Sequence, residues 1–183
     1  MENERNTDFV ASDMEKKLIL LFIFERMEFP LTEASIGEII VANDSWMNYM
    51  DFRDALYTLI SQKFIQRSSA GSDTLFAMTM AGKAALGHFY TKIPASIREE
   101  VTAFAAQHKQ RFKRNQEYTY DYFKNQDGSH TVLMKVREQV SSDNILEVRL
   151  KVENRTSAVR AAARWKERAP IVYEALQNIL LDD

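Results

Sequence analysis

The chain has 183 residues, 45% of them hydrophobic, enough to bury a real core in one large domain or two small ones. It contains no cysteine, which excludes disulfides, thiolate nucleophiles and Cys-ligated zinc and makes a reducing cytoplasm the natural home. The formal net charge is only -2, so nothing global marks a polyanion binder; residues 1–92 carry nine Lys and Arg against thirteen Asp and Glu, the remainder fifteen against thirteen.

Residues 1–13, MENERNTDFVASD, hold four acids against one Arg and read as a disordered acidic tail. MEKKLILLFIFERM, residues 14–27, is a helix apolar almost all round, the pattern of a helix at a domain centre. Its apolar run from Leu18 to Phe24 is too short to cross a bilayer, and no membrane partner is expected. Pro30 stops it. Thr32 is placed to cap EASIGEIIVAN, with Leu31 and Ile36 as a hydrophobic staple and an end near Asn43. After a turn at DSWM, Asn48 is placed to cap a third helix with Asp51 in its first turn. Phe52, Leu56, Leu59 and Ile60 share one face of that helix, and Arg53, Asp54, Tyr57, Ser61 and Gln62 lie opposite.

FIQR and TLFAM then read as two short strands around SSAGSD, with Gly71 supplying the tight turn. Thr79 is placed to cap the next helix, MAGKAALGHF, where Gly82 costs helix propensity and allows close backbone packing. Three helices, a hairpin and a helix make a winged helix-turn-helix over residues 14–92, the third helix being the candidate reader and the hairpin the wing.

Residues 93–183 read as an α-β-β-β-α domain for dimerisation or sensing. Pro94 opens a long helix, ASIREEVTAFAAQHKQRFKR, with Ile97, Val101, Phe104 and Ala105 on one side. EYTYDYF, HTVLMKVREQV and NILEVRLKV form a three-stranded antiparallel meander turning at NQDG and SSD. Leu146, Val148, Leu150 and Val152 alternate with Glu147, Arg149 and Lys151, the period of a sheet covered on one face only. The long closing helix, TSAVRAAARWKERAPIVYEALQNILL, carries Pro170, where a kink is expected. The fold class is therefore α+β.

Four fragments in this order carry a family resemblance: EKKLILLFIFERMEFPLT, MNYMDFRDALYTLISQKFI, the T-x-x-G-K of TMAGKAAL followed by IPASIREEV, and RWKERAPIVYEAL. They resemble a Firmicutes family described as domain of unknown function four-three-six-four, over nearly the whole chain beyond the acidic tail. More broadly, the first half is similar to PadR-like and MarR-like winged-helix regulators, in which a T-x-x-G after the wing often opens the next helix. That resemblance implies a transcription regulator.

Catalysis finds no support in the residues. His88, His108 and His130 fall in three different elements with no second ligand or acid at motif spacing, and P-loop, GxGxxG and G-x-S-x-G patterns are absent. The chain is therefore expected to be no enzyme, with no catalytic residue, cofactor or metal.

For contact with double-stranded DNA, a third helix in the major groove presents Asn48, Tyr49, Arg53, Tyr57 and Thr58. Arg67 and Ser68 or Ser69 on the wing reach phosphate, and Lys16, Lys17, Lys63 and Lys83 add backbone contacts. Arg53 has the fork for guanine O6 and N7; its competing role is an ion pair with Asp54 or with a Glu of the second helix. QHKQRFKR, residues 107–114, offsets the dipole at a helix C-terminus or makes a second nucleic-acid contact. Tyr118, Tyr120 and Tyr122 are one face of a strand or a stacking platform, and Trp46, Met47 and Met50 pack at the turn or touch a partner. The expectation is a cytoplasmic, homodimeric regulator with helices 94–115 and 156–181 as the interface and a small-molecule or protein effector. The alternative is a protein-protein interaction module on the same scaffold without DNA binding.

Overall fold

The computed structural model describes residues 11–70, 73–138 and 143–181. Among the described residues the chain is α+β, with six α-helices and two three-stranded antiparallel sheets, and it divides into two compact units between Lys109 and Gln110.

The first unit opens with α1 (Asp13–Met27). Residues 1–10 of the expected tail lie outside the described residues, but its end does not behave as tail. The Glu15 N–H donates to Ser12 Oγ at 3.3 Å and the Ser12 N–H to Glu15 Oε2 at 2.8 Å, a capping box that satisfies two otherwise orphaned donors. Ile19, Leu20 and Phe22 are fully buried, so α1 is the centre around which the unit is built. It ends at Glu28 in the left-handed region, φ 63°.

Next come β1 (Leu31–Thr32), α2 (Glu33–Ala42) and α3 (Tyr49–Ser61). Thr32 does more than cap: its hydroxyl accepts from the Ser35 N–H at 3.0 Å while its backbone pairs with Leu75. β2 (Ile65–Ala70) and β3 (Asp73–Met78) form the hairpin, and the sheet order is β1-β3-β2. Gly71 and Ser72, in the expected tight turn, lie outside the described residues. Thr79 caps α4 (Met80–Phe89), accepting from the Gly82 N–H at 3.1 Å. The same residue anchors the corner between α3 and β2: its N–H donates to Phe64 O at 3.0 Å and its hydroxyl to Lys63 O at 2.8 Å. A Cβ at Gly82 would stand 2.3 Å from the Phe64 carbonyl oxygen, so only glycine lets the two segments meet. Trp46 and Met47 are buried and pack at the turn before α3.

After a 3-10 turn at Tyr90–Lys92, α5 (Ala95–Glu117) begins. The sequence places a boundary after Lys92; the contacts divide the chain further on, inside α5. The reason is the apolar side of α5, where Ile97, Val101 and Ala105 are buried. Glu100 accepts from the Trp46 indole N–H at 2.7 Å, and Phe104 packs edge-on to that ring at 6.0 Å.

The second unit holds β4 (Tyr118–Lys124), β5 (His130–Arg137), β6 (Asn144–Val152) and α6 (Arg155–Leu181), with strand order β4-β5-β6. Residues 139–142, before β6, lie outside the described residues and include most of the expected SSD turn. Between β4 and β5, Gly128 adopts φ 84°, the conformation that the NQDG turn requires. α6 covers one sheet face with a core of Val132, Met134, Val136, Ala158, Ala162, Trp165 and Ala169. Tyr118 and Tyr122 pack against that core, while Tyr120 between them is exposed, with Lys166 Nζ 5.6 Å from its ring centre. α6 runs as one helix through Pro170.

Candidate nucleic-acid interface

α3 buries Phe52, Ala55, Leu56 and Leu59 and turns Asp54, Tyr57, Ser61 and Gln62 to solvent. Tyr49, Arg53 and Tyr57 recur at intervals of four and form one column along its outer side. Tyr49 is anchored at its foot: its ring meets Phe52 edge-on at 5.4 Å, and a Cβ at Gly37 of α2 would come within 3.1 Å of it.

Arg53 sits between a tyrosine and an acid. Its Nε lies 3.3 Å from Glu33 Oε1, its Nη2 donates to the Tyr57 hydroxyl at 3.4 Å, and that hydroxyl donates to Glu33 Oε2 at 3.4 Å. The guanidinium carbon stands 5.5 Å from the centre of the Tyr57 ring. The Tyr57 hydroxyl first, and the Glu33 carboxylate behind it, hold this guanidinium more firmly protonated than an ordinary arginine. Of the two partners weighed from sequence, a Glu of the second helix is the one the structure selects. Glu33 is the first residue of α2, where the helix dipole favours its charge.

Asn48 is occupied by capping. Its Oδ1 accepts from the Asp51 N–H at 2.9 Å and its Nδ2 donates to Asp51 Oδ2 at 2.9 Å. Lys16 reaches the same carboxylate at 3.0 Å, so it serves α3 as a structural cation. Lys63, Arg67 and Lys83 are exposed and make no ion pair among the described residues. Lys63 and Lys83 are drawn to one corner by Thr79, which bonds to the Lys63 carbonyl and accepts the Lys83 N–H through its own carbonyl.

The site residues chosen from sequence do not form one patch. Asn48 and Tyr49 lie at one end of α3 and Lys63 at the other, about 20 Å apart along the axis. Arg67 and Ser68 are successive on β2 and so face opposite sides of the ribbon. Among the described residues no group of three His, Asp or Glu is placed to hold a metal ion, and no helix is long and apolar enough to cross a membrane.

The fold thus defines an α+β chain carrying an aromatic and cationic column on a solvent-facing helix. It belongs to the family described as Domain of unknown function (DUF4364), whose profile matches residues 16–180. No curated protein and no solved structure matches the chain.

Proposed function

We propose that this chain is a DNA-binding transcription regulator of winged-helix type, acting in the cytoplasm as a homodimer, with the second unit as its dimerisation and effector domain. The observation that carries the reading is the column Tyr49, Arg53 and Tyr57, turned to solvent on a helix whose other side is core. Its setting supports the same reading: three helices, a short strand β1 paired to the hairpin β2–β3, and α4 locked against the end of α3.

The hold of Glu33 on Arg53 does not close the site. Contacts of 3.3 and 3.4 Å between exposed groups are long and solvent-screened, whereas a guanine edge offers O6 and N7 to one guanidinium fork. Lys63, Lys83 and Arg67 supply phosphate contacts and the counterion release that accompanies them. The same bridge and the exposed Met50, 68% accessible, are what favour the second reading, a protein-interaction module.

Fluorescence anisotropy with labelled duplex DNA tests the proposal. Binding should weaken steeply with added salt, and Arg53→Glu combined with Arg67→Glu should weaken it on the order of tenfold or more. A wild-type chain that gives no signal with sheared genomic DNA at low salt would leave the interaction module standing.

A further inference from the structure

The apolar stripe of α6 continues past the sheet it serves. Ala158, Ala162, Trp165 and Ala169 recur at alternating intervals of four and three and are buried against β4–β6. The same interval runs on through Val172, Leu176 and Ile179. From there the burial fails: Val172 is 37%, Ile179 76% and Leu180 72% exposed. The small side chains that let the helix lie close to its sheet give way to large ones, over residues 171–181, about 16 Å of helix.

Charge narrows what covers this face. Between Ala169 and Leu181 the only charged residue is Glu174, so the segment offers no cation to a polyanion or to an anionic lipid surface. It is, however, compatible with itself. An antiparallel pair crossing at Leu176 sets Val172 at the level of Leu180 and Tyr173 at the level of Ile179 of the other copy. It puts Glu174 beside Asn178, so no like charges meet. Two such segments could bury on the order of 1,000 Å² together, the threshold at which a contact between copies counts as a specific interface.

We propose that residues 171–181 of α6 are a self-association surface that pairs antiparallel with the same segment of a second copy of this chain. The surface rests on the dimer in the reading above and not on DNA binding.

Sedimentation equilibrium of the full chain at micromolar concentration decides it. Wild type should run at twice the 21.2 kDa chain mass, and Ile179→Glu with Leu180→Glu should run as a monomer, the dimer dissociation constant rising on the order of a hundredfold or more. Met80→Glu, on α4 and 83% exposed, is the matched control and should stay dimeric. A circular dichroism spectrum unchanged in the double variant shows that the fold persists. A monomeric wild type overturns the proposal, whether or not the glutamates lower the melting temperature through a contact within the chain; so does a double variant that stays dimeric. Failure to bind DNA by an intact dimer sinks the regulator reading and leaves this surface in place.

Discussion

In the first unit α1 is enclosed on every side, with Ile19, Leu20 and Phe22 wholly out of reach of water. In the second, α6 shields one face of a three-stranded sheet and leaves Asp121, Phe123, Glu147 and Arg149 of the other to solvent. The apolar residues that the first unit exposes, such as Val41, Met50 and Met80, are scattered over separate helices, whereas Ile179, Leu180 and Leu181 of the second are consecutive on one helix and uncovered. Burying apolar surface is the main favourable term in folding, so an all-round core makes a unit self-sufficient and a single-faced one gains from a neighbour. The proposed recognition column lies on the unit with the all-round core, and the proposed self-association surface on the unit with the one-sided sheet.

The chain has two tryptophans, Trp46 in the first unit and Trp165 in the second, so fluorotryptophan labelling gives one NMR reporter per unit. The largest expected effect is Phe22→Ala, which should cost the first unit about 3–5 kcal/mol. The Trp46 resonance should then lose its folded position in urea while that of Trp165 keeps it; simultaneous loss of both would break the contrast. Gly82→Ala comes next. Alanine is the better helix former by about 1 kcal/mol, but its methyl meets the Phe64 carbonyl, so a net loss of about 1–3 kcal/mol is expected in the Trp46 transition. A stabilised variant would mean that the corner yields.

The smallest effect is acid sensitivity in the second unit. Asp127 is held well below the usual carboxylate range, first by the Lys151 ammonium at 2.6 Å and then by Ser129. Because the folded value is the depressed one, its contribution is fully present at neutral pH and lost as pH falls below about 4. Asp127→Asn should lower the Trp165 urea midpoint slightly at neutral pH and flatten its decline in acid. An unchanged acid slope would show that this exposed pair carries none of it.

Much of this fold is legible in the sequence because its signals are local. Thr32, Asn48 and Thr79 each precede an apolar period and each caps its helix in the structure. The alternation in β6 marks a one-sided sheet in the same way. What stays hidden depends on distant partners. β1 is two residues long, too short to show a period, and exists only through Phe76 and Leu75. Ser12 and Glu15 spell a capping box, but the acidic stretch before them masks it. The stripe Ile97, Val101 and Ala105 is plain, while nothing in its spacing says which core it enters; Pro94 punctuates the chain without dividing it. For the site, sequence yields the column Tyr49, Arg53 and Tyr57, and structure yields the Glu33 that holds it.

Two helices end on residues that are not glycine although their backbone is left-handed: Glu28 at φ 63° and Lys63 at φ 62°. That conformation strains a residue with a Cβ by about 1–2 kcal/mol, and the narrower freedom of a non-glycine residue in the unfolded chain returns only about 0.4–1 kcal/mol of it. At Glu28 the carboxylate is paired with Lys109, and the backbone N–H caps the helix by donating to Phe24 O at 3.1 Å. Lys63 has no such ion pair among the described residues, so its left-handed backbone rests on the corner itself, where the Lys63 N–H donates to Ile60 O at 3.0 Å and its carbonyl accepts the Thr79 hydroxyl at 2.8 Å: an unusual backbone conformation is tied to the point where α3, the hairpin and α4 meet.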